Sequence, residues 1–334
     1  MRRVFIAWVR YDRRSELMAE HLDATMYFIH HGRRGNLPQT SLRYAAQSYQ
    51  TWQVLRRERP DIVFVQNPPI FCAMIAFAYA CGCGARFAID SHSGAFVSRK
   101  WRWSLPLHRA LSRSALVTIV PNEDISGIVT NWGCRSYVLG FTRGEYPVGE
   151  PFALDGSHNV VVISTFAEDE PLAVVFEAAR CLPEVTFYVT GDSTRVPPGA
   201  LVGKPDNCHL TGYLPYERYI GLLRGVDAII DLTTRDHTLL MGAYEAVSLG
   251  VPLIVSDWPI LKESFPRGTV HVANTMDGVC AGVRRVLRQQ EELRSDISAL
   301  RDDLNAEWDY RLAELRQLLA GQEHLARNAV GSSS

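Results

Sequence analysis

The residues best placed to do chemistry lie in one run from Asp231 to Asp257, DLTTRDHTLLMGAYEAVSLGVPLIVSD. An apolar strand, residues 227–232, empties into a polar loop. Helical spacing then begins near Leu240 and stops at Gly250, ahead of a buried strand at residues 253–255. Gly242 falls where that helix begins. The first turn of a helix carries unpaired N–H groups and the positive end of the dipole, and a glycine there lets a phosphate approach the backbone. Glu245 follows one turn deeper, where a carboxylate can accept hydrogen bonds from ribose hydroxyls below a pyrophosphate. These types at this spacing suit a nucleoside diphosphate; an ordinary loop–helix–strand crossover of a doubly wound domain reads the same way.

The segment GAYEAVSLGVPLIVSD resembles the donor-site signature of GT-B glycosyltransferases, the family-4 type above all. In that signature a loop acid and a helix Glu are separated by seven residues, the second opening E-A-x-x-x-G-x-P, and Glu245 takes the second position. His237 stands at the first, with Asp236 beside it, so the resemblance assigns contact with the transferred sugar to one or other of them. A second segment, RPDIVFVQNPP at residues 59–69, is followed by IDSHSG at residues 89–94. Both are similar to the first domains of the same fold, in particular those of polyprenol- and dolichol-linked mannosyltransferases. Together these resemblances imply an α/β protein of two Rossmann-like doubly wound domains facing a cleft, with a C-terminal helix crossing back to the first. They imply a hexosyltransferase that moves sugar from a UDP- or GDP-linked donor to a hydroxyl acceptor in polysaccharide or lipid-linked glycan synthesis. A nucleotide sugar would be the co-substrate, with no obligate cofactor or metal.

The composition agrees with such a protein. A chain of 334 residues accommodates two domains with separate cores, and 47% hydrophobic against 21% charged residues is a globular balance. A net charge of −1 gives no global field to recruit nucleic acid, and none is expected as a partner. Seven cysteines with no C-x-x-C pair point to reduced thiols rather than a zinc site, in a cytoplasmic setting. The apolar run at residues 4–9 is only strand length and the longest, at 69–81, is short of a bilayer span, so neither a secretory signal nor a membrane helix is expected.

Stepping along the chain, continuous apolar runs at residues 4–9, 26–31, 61–66, 85–89 and 116–120 read as parallel strands, with helices at 41–59 and 70–81 between them. The acceptor domain is placed at residues 1–143 and a Gly- and Pro-rich linker at 144–158. Loops at the carboxyl ends of parallel strands are where open sheets bind ligands. Asp12 and the pair Asp90 and His92 sit at such ends as candidates for base or acceptor contact. Helix capping would use Asp12 and Asp90 equally well. Residues 98–113, SRKWRWSLPLHRALSR, interleave Arg99, Lys100, Arg102, Arg109 and Arg113 with Trp101, Trp103, Leu105, Leu107 and Leu111. That pattern fits peripheral docking on the anionic inner face of a plasma membrane, or a basic loop leading into a core helix.

The donor domain is placed at residues 159–304, a crossing helix at 305–320 and a frayed tail at 321–334. Its first loop holds Glu168, Asp169 and Glu170 where the family commonly carries an Arg and a Lys for the diphosphate. We read the acids as favouring the N-terminus of the following helix. Arg235 and Lys262 are the substitute cations, with the Gly242 and Ala243 N–H groups beside them. Thr190 and Gly191 end one strand and Gly212 and Tyr213 another, which the resemblance places at the donor and its nucleobase. The closing W-x-x-R-x-x-x-L motif from Trp308 resembles the crossing helix of the GT-B fold. A nucleotide-sugar 2-epimerase and a non-catalytic nucleotide-sugar-binding module share these features. A dehydrogenase is disfavoured, because no G-x-G-x-x-G follows the first strand.

Overall fold

The computed structural model describes residues 1–32, 37–140, 143–144, 146–192, 194, 196, 199 and 201–331, the side chains of 37 and 321–331 excepted. Its chain divides into two compact units, Met1–Thr142 with Glu307–Ser334, and Arg143–Ala306.

In the first unit strands and helices alternate as β1 Arg3–Ala7, α1 Arg13–His21, β2 Thr25–Phe28, α2 Leu37–Glu58, β3 Ile62–Asn67 and α3 Ile70–Cys83. There follow β4 Arg86–Ser91, the one-turn α4 Gly94–Val97, α5 Leu105–Ser114, β5 Thr118–Val120, α6 Glu123–Asn131 and β6 Ser136–Val138. The six strands pair in parallel in the order β2-β1-β3-β4-β5-β6. Every residue of β3 is buried, as a strand covered on both faces requires, and its apolar run is unbroken for that reason. Helix starts follow local chemistry: the Asp12 carboxylate accepts from the Ser15 N–H at 2.8 Å, and Asn122 does the same for Ile125 at 3.0 Å.

The second unit repeats the plan with β7 His158–Val162, α7 Leu172–Arg180, β8 Val185–Thr190, β9 Cys208–Gly212, α8 Tyr216–Gly225 and β10 Ala228–Asp231. It continues through α9 Met241–Leu249, β11 Leu253–Ser256, α10 Pro259–Ser264, β12 Thr269–Val272, α11 Met276–Arg288 and α12 Gln290–Gly331. Its sheet is again six-stranded and parallel, ordered β12-β11-β10-β7-β8-β9. Strand order reverses between β1 and β3 in one sheet and between β7 and β10 in the other. Those reversals part the flanking loops and open a crevice at the carboxyl edge of each sheet.

The C-terminal region differs from expectation. The break falls at Gln289, and α12 then runs unbroken past residue 305, since no Gly or Pro interrupts Leu304-Asn305-Ala306-Glu307. Helix α12 extends to Gly331, past Gly321 where the frayed tail is expected to begin, while residues 332–334, like Phe141 and Glu145 near the expected linker, lie outside the described residues. The W-x-x-R-x-x-x-L motif packs within the first unit. Trp308, Leu312, Leu315 and Leu319 are buried along one stripe, the Trp308 ring lies 5.2 Å from that of His21, and the Tyr137 hydroxyl donates to the Arg311 carbonyl at 2.7 Å. Emptying a buried indole site costs about 3–5 kcal/mol. Trp308→Ala should therefore lower unfolding stability by about that amount in a denaturant titration. A loss below about 1 kcal/mol would mean that this stripe does not hold the helix to the first unit.

Candidate active site

At the carboxyl edge of the second sheet the loops after β7 and β10 are joined by acids. Glu170 gathers its own loop: its carboxylate accepts from the Ser164 hydroxyl at 2.6 Å, the Thr165 N–H at 2.9 Å and the Thr165 hydroxyl at 2.7 Å. Asp169 reaches the other loop. Its carboxylate accepts from the Thr233 hydroxyl at 3.0 Å and pairs with the Arg235 guanidinium at 3.2 Å, while its carbonyl accepts from the Thr234 N–H at 2.7 Å. This corrects the expectation that the acidic run serves the helix dipole. The α7 N-cap is Pro171, with no side-chain capping bond, and the acids fasten the two switch-point loops instead.

Asp231, the last residue of β10, is the residue that sequence reasoning missed. Its carboxyl group is buried and faces the Gly242 and Ala243 N–H groups at the start of α9. A Cβ on Gly242 would stand 2.5 Å from Asp231 Oδ2, so glycine is needed there for the acid to approach. The N–H groups expected to face a phosphate thus face a side chain of the same unit. Burial, and then the charges of Glu245 and Glu170, push the Asp231 carboxyl up to about 8 against the pull of those two N–H groups. Asp231 therefore keeps its proton at neutral pH. Glu245 stands one turn into α9, with its carboxylate accepting from the Tyr219 hydroxyl at 2.5 Å. Burial and Glu245 in turn raise the Tyr219 hydroxyl well above its ordinary range. The only sign of Asp231 in the sequence is an acid closing the apolar strand AIID.

The other donor candidates share this edge. Gly191 has φ +115 and leaves no room for a Cβ, which would lie 2.4 Å from the Ser164 carbonyl. The Thr190 hydroxyl bridges β7 and β8, accepting from the Ser164 N–H and donating to the Val162 carbonyl, both at 3.3 Å. Gly212 lies beside Thr190 in register, and the next residue, Tyr213, presents a ring 82% exposed. Lys262 pairs with Asp257 at 2.6 Å. Asp236 accepts from the His237 N–H at 2.7 Å, and His237 is held at φ +55. Thr190 is thus tied through Ser164 to Glu170, Arg235 to Asp169, and Glu245 to Tyr219, while Gly242 and Ala243 lie against Asp231. Among the described residues no such bond ties Tyr213 or Lys262 to these groups.

In the first unit, β4 delivers Asp90 and His92 together. Asp90 is 1% exposed; its Oδ1 lies 3.2 Å from the Arg14 guanidinium, and its Oδ2 lies 3.4 Å from His92 Nε2. Burial alone would raise the Asp90 carboxyl, but Arg14 and then His92 outweigh it and hold the group well below the usual carboxylate range. Arg14 also donates to the Gly140 and Leu139 carbonyls, each at 2.7 Å, so this guanidinium is fixed from three sides. His92, partly exposed, is the member of the pair open to a substrate. Asp12 stands apart from them in role: its carboxylate caps α1, accepting from both the N–H and the hydroxyl of Ser15. A second polar cluster, also missed, lies beneath: Asn67, Ser91 and His108 are buried, with Ser91 Oγ 2.9 Å and Asn67 Nδ2 3.2 Å from His108 Nε2. Burial lowers His108 to about 4, so it is neutral.

The interleaved basic stretch separates by depth. Leu111 is buried and Leu105 and Leu107 pack against the core, so these leucines belong to the interior and not to a membrane face. Trp103 stays 60% exposed, and Lys100 stands over the Trp101 ring at 5.1 Å. Among the described residues no helix is long and apolar enough to cross a membrane, and no group of three or more His, Cys, Asp or Glu residues is arranged to hold a metal. All seven cysteines are free.

The Asp231 environment makes a stability prediction. A carboxyl raised in the folded state favours folding fully below its unfolded value near pH 4, and that contribution is lost as pH rises towards 8. Asp231→Asn mimics the protonated acid and does not titrate. Melting temperatures taken at pH 5 and pH 8 should show the variant gaining on the wild type as pH rises. A difference that stays constant with pH would show that Asp231 does not titrate in this window.

Residues 173–320 match the model of the glycosyl transferase-like family. No curated protein sequence matches the chain. Among solved structures, sucrose-phosphate synthase from Thermosynechococcus elongatus superimposes with a TM-score of 0.75 at 12% identity, covering 97% of this chain and 100% of that one. HepE from Anabaena, in complex with UDP and glucose, gives 0.67 at 11% identity over 97% and 100%. UDP-GlcNAc 2-epimerase from Neisseria meningitidis, bound to UDP-GlcNAc, gives 0.64 at 13% identity over 96% and 100%. At such identities the likeness is one of fold. The chain is thus a protein of the GT-B glycosyltransferase fold, with a glycosyl transferase-like domain over residues 173–320.

Proposed function

We propose that the protein transfers a hexosyl group from a UDP- or GDP-linked sugar to a hydroxyl acceptor, in polysaccharide or lipid-linked glycan synthesis. One observation carries this reading. Glu245 and Arg235 lie at the switch-point edge of the second sheet, inside the stretch that matches the transferase family model. Two of the solved structures named above hold UDP and glucose, or UDP-GlcNAc, which supports a nucleotide-sugar donor.

The donor is read onto the second unit as follows. Glu245 takes the ribose hydroxyls, exchanging its bond to Tyr219 for them. Arg235 and Lys262 take the diphosphate. Lys262 sits in an exposed ion pair, of a kind worth about 0–1 kcal/mol, and Arg235 holds an exposed guanidinium against the largely buried Asp169, whereas a guanidinium–phosphate fork is the stronger contact. Asp231, being protonated, puts no negative charge against the α9 N-terminus, so the helix dipole still favours an anion there. Gly242 and Ala243 support that anion once Asp231 shifts. Thr190, Gly191 and Gly212 shape the edge, Tyr213 offers its exposed ring to the base, and Asp236 or His237 meets the sugar.

On the first unit His92 is the base for the acceptor hydroxyl. Asp90, locked by Arg14, orients the imidazole and stabilises its protonated form. Asp12 shapes this edge through its cap. A lipid-linked acceptor would bring the protein to an anionic membrane, which Trp103 with Arg99, Lys100 and Arg102 is placed to touch.

Release of nucleoside diphosphate from a panel of UDP- and GDP-sugars, with and without glycan and polyprenol-linked acceptors, tests the reading. Acceptor-dependent release is expected, and His92→Ala should lower kcat by about 10²–10⁴ with little change in the donor KM. Donor converted with no acceptor present would instead mark a 2-epimerase, and tight nucleotide binding without any turnover a binding module.

A further inference from the structure

A cavity of about 550 Å³ opens in the first unit between the end of α3, the end of α5 and the segments that lead into β4, β5 and β6. Arg86, Arg113 and Arg135 all line it, and among its described lining residues there is no Asp or Glu. The three come from separate places: the first residue of β4, the last turn of α5 and the residue before β6. Nor do carboxylates claim them elsewhere, since no ion pair of Arg86, Arg113 or Arg135 occurs among the ion pairs of the described residues; Arg113 donates to the Trp132 carbonyl at 3.3 Å. Three cationic residues lining one cavity repel one another, and an anion bound among them offsets that repulsion.

The rest of the wall fits the same class of ligand. Ser112 is buried, and its hydroxyl accepts from Thr118 at 3.0 Å, which leaves its own hydrogen to donate. Phe87 and Leu116 supply an apolar side, the Phe87 ring being held edge-on by Phe77 at 6.0 Å. Cationic forks, a hydroxyl donor and an apolar wall suit a phosphate ester carrying an organic group. Arg86 starts β4 and Asp90 lies four residues along it, so the cavity is about 13 Å away from Asp90, at the opposite edge of the sheet.

We infer that this cavity is a second ligand site, for a phosphate ester, at the opposite end of the first sheet from its carboxyl-edge residues Asp90 and His92. The ester can be a soluble metabolite or a phospholipid headgroup, since the recognised chemistry is the same. Its occupant would press on the start of the strand whose end carries Asp90 and His92, which makes the site suited to an effector.

The test follows backbone amide signals of Ser114 and Gly133, both on the cavity wall, as pyrophosphate is added to the full-length protein. In parallel, sedimentation with phosphatidylglycerol vesicles is measured. Saturating shifts at those amides with a Kd below about 1 mM, weakened about tenfold or more in Arg86→Gln/Arg135→Gln, establish the soluble source. Vesicle binding that is lost in that variant but kept in Trp103→Ala establishes the headgroup source. Arg86→Lys/Arg135→Lys, which keeps the charge and loses the forks, should fall between the two and shows that the loss is not one of folding. Pyrophosphate that leaves both amides unmoved, together with vesicle binding equal in wild type and Arg→Gln variant, overturns the inference. Pyrophosphate held only at the donor edge would move neither signal, so the two sites are told apart.

Discussion

The approach of a buried carboxyl to the first turn of a helix governs the working edge of the second unit. Asp231 lies against Gly242 and Ala243 in the first turn of α9, and Glu245 stands one turn further along the same helix. Glu245 and Glu170 both push the Asp231 carboxyl up, so ionising all three acids together is disfavoured. The strain is relieved by a proton on Asp231, by the Tyr219 hydroxyl on Glu245, and by loop donors on Glu170. Asp169 then links that loop to the one bearing Arg235. The result is an edge held by acids, in which the cations stand outermost and least committed. On the proposed reading a diphosphate would meet those exposed cations first.

The first unit solves the opposite problem with the same materials. Asp90 is buried like Asp231 and lies at the same end of its strand, yet it is held ionised, because Arg14 and not a second acid lies beside it. Environment thus sets two like residues to different states, one neutral beneath a helix start and one charged behind a histidine. That difference supports a division of labour, with the second unit receiving an anion and the first moving a proton.

Much of this was legible in the sequence, for reasons that are local. Buried parallel strands are unbroken apolar runs, so both sheets could be drawn, and the Glu245 helix carried its own start and stop at Leu240 and Gly250. Asp90 and His92 were placed correctly because the strand preceding them was plain. What stayed hidden depends on partners distant along the chain. Glu168, Asp169 and Glu170 read as helix-dipole residues because Pro171 and α7 follow them, whereas Asp169 in fact answers to Thr233 and Arg235, across the switch point. Asp231 read as the end of a strand, since nothing in sequence shows that Glu245 and Glu170 converge on it. The leucines among the arginines of α5 looked amphipathic towards a membrane and are core, because the face they present is decided by β4 and β5 beneath them.

The measurement that bears most directly on the central claim is the thermal shift of the wild type and of Glu245→Ala with UDP, GDP and ADP, and with the corresponding sugars. A ligand that binds only the folded chain raises its melting temperature. One nucleotide class should stabilise the wild type and should lose most of that effect in the variant, which would place the nucleoside diphosphate at the α9 edge. Equal shifts in both proteins, or none with any nucleotide, would contradict a donor site built around Glu245.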